Sequence, residues 1–301
     1  NTHFWSEIAI NIAGWNGKKL GGILHPGTFS MLGVGVPFAI SAKTNNPNSN
    51  VILISGDGAF LSGGLVLWLS MSFSETHQKL FTFVSFIVGQ GFMVIPLMIY
   101  LQYNQIPILE SIRLKPINYD IIIYTILLSF GLIILSDELD RIIQIFIPAP
   151  EYVTNLNDLL KPETLYGTIL LFIAVSILAP LGEEIIFRGF LQRVLEKHWN
   201  DITKSVLFTA LLFSMIHMNP YWFVQIYILG IVLGFLAWKT QSIISPLILH
   251  GLNNSAAMVL SFSDPSNSIY LWKNHVAPWF LIFAVTGVII GFKGINNSFR
   301  K

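Results

Sequence analysis

Two patterns of apolar and polar positions divide the chain. Up to about residue 64, short apolar pieces alternate with small residues: "GTFSMLGVGVPFAISAK", then the turn cluster "NNPNSN", then "VILISGDGAF". The last piece reads as a buried strand running into a glycine turn, and the whole stretch follows α/β grammar. From Leu80 onward the apolar runs lengthen to what a bilayer core of ~30 Å requires, about 20 helical residues. Seven runs qualify, at residues 81–103, 119–136, 165–190, 203–218, 221–238, 243–262 and 277–292, some of them short. The predicted fold is an all-α polytopic membrane helix bundle of about seven transmembrane helices, preceded by a short incomplete α/β segment. The division falls near residue 70, giving segments 1–70 and 71–301.

Composition agrees with a bilayer as the main partner. Of 301 residues, 53% are hydrophobic and 11% charged, and the mean hydropathy is +0.65, above the range of soluble domains. Lys and Arg number 17 against 16 Asp and Glu, so no basic surface is available and nucleic acid is excluded as a partner. The absence of Cys excludes disulfides, thiolate metal sites, cysteine nucleophiles and prenylation of this chain. The first residue is Asn1 and no signal-peptide pattern follows, which reads as a fragment or a processed product.

Charge also orients the bundle. Arg113 and Lys115, then Arg193, Lys197 and Lys204, then Lys293, Arg300 and Lys301 make some connections basic. The 137–164 connection carries Asp137, Glu138, Asp140, Glu151, Asp158 and Glu163. The positive-inside rule puts the basic connections and the C-terminus in the cytoplasm, in a multi-pass integral membrane protein.

Ionisable groups inside spans cost a few kcal/mol each on insertion scales, so function is the first hypothesis for them. In "LAPLGEEIIFRG", Glu184 and Arg188 are four apart and can pair, while Glu183 points about 100° away. "FSMIH" places Phe213 and His217 on one face, and "HGLNN" does the same for His250 and Asn254. Glu183 and His217 lie equally far from the polar turn at Asn200, so an antiparallel hairpin brings them level. Plainer roles stay open for each: interfacial snorkelling for Glu183, Glu184 and Arg188, a helix cap for His217, interhelical glue for His250 and Asn254. Gly230 and Gly234 form a small-xxx-small pair that suits close helix packing.

Taken in order, "EEIIFR", "FSMIH" and "HGLNN" resemble the EExxxR, FxxxH and HxxxN motifs of the CPBP family, the CAAX prenyl endopeptidases and bacteriocin-processing (Abi) proteins. The resemblance spans about residues 80–293 with every defining position present. It implies an intramembrane endopeptidase acting on a peptide or membrane-protein substrate. Glu183 would be the general base on a water, His217 would help hold that water, and His250 and Asn254 would donate to the oxyanion. Glu184, Arg188 and Phe213 would be supports. The residue types suit the task, since a general base and fixed oxyanion donors suffice to activate water against a carbonyl. Glu183, His217 and His250 are also a two-His, one-carboxylate set, which leaves zinc as the alternative to a metal-free site.

The N-terminal stretch, about residues 1–64, resembles the pyrophosphate-binding domain of thiamine-diphosphate enzymes such as acetolactate synthase. The match implies Asp57 of "GDG" as a magnesium ligand. The family's second ligand, an Asn some 25 to 30 residues on, has no counterpart in "TFVSFI", so thiamine diphosphate and magnesium are not expected to bind. The segment reads as a foreign piece joined upstream of Met71. Three functions are thus in play: an intramembrane endopeptidase, a catalytically silent scaffold of the same fold, and a membrane-anchored thiamine-diphosphate lyase.

Overall fold

The computed structural model describes residues 75–150, 161–217, 219–262 and 269–299. The expected α/β segment, Asp57 and the division near residue 70 lie outside the described residues. The chain forms two compact units, Asn1–Phe92 and Met93–Lys301, and the second contains every residue of the candidate site described below.

The helices are α1 (Glu75–Tyr103), α2 (Ile108–Ser111), α3 (Tyr119–Phe146), α4 (Leu165–Trp199), α5 (Ile202–Ile216), α6 (Phe223–Thr240), α7 (Ile244–Phe262) and α8 (Pro278–Ser298). Between α7 and α8 lies a hairpin, β1 (Leu271–Trp272) against β2 (His275–Val276), antiparallel with Leu271 opposite Val276. Lys273 and Asn274 both have positive φ, 51° and 67°, which matches the two-residue turn that a right-twisted hairpin prefers.

A helix occupies each of the seven predicted runs, and the bundle is all-α apart from that hairpin. The count of seven spans is not confirmed. Among the described residues four helices, α3, α4, α6 and α8, are long and apolar enough to cross a membrane. Helix α5 has 15 residues, about 22 Å at 1.5 Å per residue, which falls short of the ~30 Å core. Helix α7 has 19 residues, but His250, Asn253 and Asn254 interrupt its apolar run. The apolar part of α1, Ile87–Tyr103, is also shorter than a full span.

Local signals explain where α4 and α5 begin and end. Thr164 caps α4 by accepting from the Gly167 N–H at 3.0 Å, which satisfies one of the first-turn donors. Asn200 ends the helix in the left-handed conformation, φ 50°, a backbone state that Asn tolerates. Asp201 then caps α5 by accepting from the Lys204 N–H at 2.9 Å.

One core draws on every helix from α3 to α8. Leu128, Phe187, Phe213, Leu233, Leu249 and Ile295, one from each, are buried against each other. Helices α3 and α8 approach closely because both are small at the crossing: a Cβ on Gly131 would lie 2.5 Å from the Ala284 carbonyl oxygen. Along the spans Ile123, Phe130, Ile169, Ile177, Ile228 and Ile289 are exposed, an apolar exterior suited to lipid.

The charges segregate to opposite ends. Arg113 pairs with Glu196, Arg193 with Glu110, and Ser242 donates to the Lys115 carbonyl at 2.5 Å. These contacts tie the 104–118 connection, the end of α4 and the α6–α7 turn into one basic rim. At the other rim Asp137 accepts from Tyr270, Glu138 from His275 and the Val276 N–H, and Asp140 from Trp222.

Candidate active site

Helix α4 carries the two adjacent carboxylates between two π-helical segments, Ile173–Leu178 and Ile185–Leu191. Such wide turns are rare inside α-helices and recur at functional sites. The first has a cause in the sequence. The Ala179 N–H bonds the Ala174 carbonyl five residues back; the next bond in that series would run from residue 180 to Val175, and residue 180 is proline, which has no N–H. Asn254 supplies the missing donor: its Nδ2 lies 3.0 Å from the Val175 oxygen. Helix α7 can come this close because Gly251 faces α4, where a Cβ would sit 2.9 Å from the Ser176 oxygen.

Glu184 is fully buried and doubly bound. Its Oε1 accepts from Arg188 Nη1 at 2.9 Å and from His250 Nδ1 at 2.8 Å. The i,i+4 pairing with Arg188 is the one the spacing predicts. Arg188, also fully buried, donates from Nη2 to the Gly230 carbonyl at 3.2 Å, and its guanidinium lies 4.0 Å from the centre of the Phe213 ring. Charge pairing, a backbone carbonyl and a cation–π contact together compensate a cation taken out of water. Four residues on, Gln192 repeats the pattern, donating to the Gly234 carbonyl and to Glu196, both at 2.9 Å. The small-xxx-small pair of α6 therefore exposes its carbonyls to a polar stripe on α4.

Glu183 differs in setting. Its side chain keeps some exposure, and its Oε2, like the Oε2 of Glu184, is buried with no hydrogen-bond partner among the described residues. Two imidazoles face that oxygen, His250 Nε2 at 3.7 Å and His217 Nε2 at 3.9 Å. The partners of the other ring nitrogens assign the tautomers. His217 Nδ1 lies 2.7 Å from the Phe213 carbonyl, and His250 Nδ1 faces the Glu184 carboxylate; both must carry a proton to make these bonds. His217 thus caps the end of α5 with one nitrogen and presents the other to Glu183. Phe213 fixes the two rings, edge-on to His217 at 4.7 Å and to His250 at 5.6 Å.

Six of the motif residues therefore meet: Glu183, Glu184 and Arg188 on α4, Phe213 on α5, His217 just beyond it, and His250 on α7; Asn254, four residues beyond His250, instead contacts the Val175 carbonyl. At 3.7 and 3.9 Å the two imidazole nitrogens stand beyond direct hydrogen-bond distance of Glu183 Oε2. As a zinc site the donors are right in kind, but among the described residues no three His, Cys, Asp or Glu side chains are arranged to hold a metal ion.

Sequence reasoning missed the His250–Glu184 bridge, the Val175–Asn254 bond and the Gly230 carbonyl. The stripe was readable as polar residues at every fourth position, Glu184, Arg188, Gln192 and Glu196, and Pro180 was the signal for a freed carbonyl.

Comparison with curated proteins and with solved structures gives no match. Residues 11–70 match the family of the thiamine pyrophosphate enzyme, C-terminal TPP binding domain. Residues 165–256, a shorter stretch than the 80–293 read from the motifs but one that holds every residue of the site, match the family described as Type II CAAX prenyl endopeptidase Rce1-like.

Proposed function

We propose that this chain is an intramembrane endopeptidase that hydrolyses a peptide bond with a water activated by Glu183. The observation that supports this most is the placing of one unpaired carboxylate oxygen between two imidazole nitrogens, at 3.7 and 3.9 Å. A water between Glu183 and His217 gives its proton to Glu183 as its oxygen attacks the carbonyl carbon. Glu183 then returns the proton to the leaving amine nitrogen as the C–N bond breaks.

Negative charge develops on the carbonyl oxygen during the attack, and fixed donors there lower the barrier by about 3 kcal/mol each in comparable sites. His250 is oriented for this by Glu184; the role requires it to carry both ring protons, so that Nε2–H donates. Asn254 Nδ2 has two hydrogens, one committed to Val175, and the second serves the oxyanion. Arg188 and Phe213 hold Glu184 and the two rings. The segregated charges support an orientation with the Arg113–Glu196 rim and the C-terminus in the cytoplasm.

Incubating the purified protein with prenylated and unprenylated tail peptides, followed by mass spectrometry of the products, tests the reading. A defined cleavage product is expected. A folded protein that yields none from any peptide of the panel favours a silent scaffold.

A further inference from the structure

We infer that Asn254 is a positioning residue as well as a donor: by replacing the N–H that Pro180 lacks, it holds the π turn that aims Glu183 at the histidines. The inference rests on the proposed peptidase reading.

Three observations carry it. The Ala179-to-Ala174 bond shows that α4 is in i−5 register immediately before Pro180. The next carbonyl in that register, Val175, has lost its donor to the proline and is met instead by Asn254 Nδ2 at 3.0 Å. Gly251, three residues before Asn254, is the close-approach point that brings α7 within reach. A carbonyl without a partner inside a span is costly, so a wide turn just before a proline needs a donor from outside its own helix.

The turn matters because Glu183 follows it by five residues. A π turn takes up one extra residue, and each residue of an α-helix advances the helix face by about 100°. If residues 173–178 relaxed to α geometry, the direction now faced by Glu183 would pass to a neighbour, and Glu183 Oε2 would leave the two imidazoles. The same relaxation would move Glu184 away from His250.

The chemistry of the lost donor supplies the test, because Pro180→Ala restores an N–H to residue 180. In the full chain, Asn254→Ala is expected to lower kcat by at least ~100-fold, the scale of losing a donor together with the base's alignment. Adding Pro180→Ala should recover at least ~10-fold of it, since the helix then satisfies Val175 from within. A residue acting solely on the oxyanion would gain nothing from a change at Pro180. Unfolding midpoints supply a readout independent of cleavage: the drop caused by Asn254→Ala should be smaller in the Pro180→Ala background. Hydrogen exchange gives a second, with faster exchange over residues 173–184 in Asn254→Ala and none over 192–199. No recovery of kcat in the double variant, or unchanged exchange over 173–184, would overturn the inference. Absence of cleavage by the wild-type protein would instead count against the peptidase reading, and the stability cycle and exchange data would still decide whether Asn254 holds the turn.

Discussion

Glu183 and Glu184 are adjacent in sequence and opposite in circumstance. Glu184 is sealed, its Oε1 bound to Arg188 and His250, while the Glu183 side chain keeps some exposure and its Oε2 faces two imidazoles without a direct bond. Glu184→Gln leaves the buried guanidinium of Arg188 without its counter-ion, at a cost of about 3–5 kcal/mol. Its activity is therefore expected to fall in step with the folded fraction, as followed by thermal unfolding and size-exclusion chromatography. Fully folded Glu184→Gln protein without activity would move Glu184 into the chemistry itself. The donor set also invites a metal test: the purified protein is expected to hold substoichiometric zinc and to keep its activity in a chelator. Stoichiometric zinc that is lost in His250→Ala would establish the metal alternative. At this scale the sequence was informative about neighbours on one helix. The Glu184–Arg188 pair follows from their spacing, and the levelling of Glu183 with His217 from the Asn200 turn. The His250–Glu184 bond was not legible, because it depends on the rotation of α7 against α4, two helices that are not sequence neighbours.

Element by element, the apolar runs located α1 and α3 to α8, while the count of seven spans is not confirmed: four helices among the described residues are long and apolar enough to cross a bilayer. A run length does not reveal that α5 stops at 15 residues to leave His217 on the site, nor that α4 continues to Trp199 as an amphipathic end. The hairpin before α8 left no pattern in hydropathy because two-residue strands are too short for one. It is attached to α3 through His275 and the Val276 N–H on Glu138, and through Tyr270 just before it, whose hydroxyl donates to Asp137 at 3.0 Å. Burial first, and the Asp137 charge beside it second, push the phenol above its ordinary value. A proton held more tightly in the folded state gives stability that is complete below the unfolded pKa, about 10 for tyrosine, and lost as the pH rises through the folded value. The Tyr270–Asp137 contact is thus expected to be indifferent to pH near neutrality and to weaken only above about pH 10. Melting curves measured across that range should show an alkaline loss that Tyr270→Phe diminishes; an equal loss in both proteins would place the sensitivity elsewhere.

At the scale of the whole molecule, two unrelated patterns share one chain, and family matches fall on both, at residues 11–70 and 165–256. The site residues all lie in the second. A chain starting at Met71 is therefore expected to insert, fold and cleave like the full chain. Calorimetry of the full chain with thiamine diphosphate and magnesium is expected to detect no binding, because the Asn expected some 25 to 30 residues beyond Asp57 has no counterpart in the sequence and a lone carboxylate holds magnesium poorly. Micromolar binding that Asp57→Ala abolishes would show the two parts to be one functional protein. The central claim, hydrolysis by a water that Glu183 activates, meets its most direct test in turnover of a cleaved peptide by Glu183→Gln protein in a bilayer. That change keeps the shape and the hydrogen bonding of the side chain and removes the proton acceptor. Turnover at least ~100-fold below wild type, at an unchanged unfolding midpoint, is expected; turnover near the wild-type rate would remove Glu183 from the reaction.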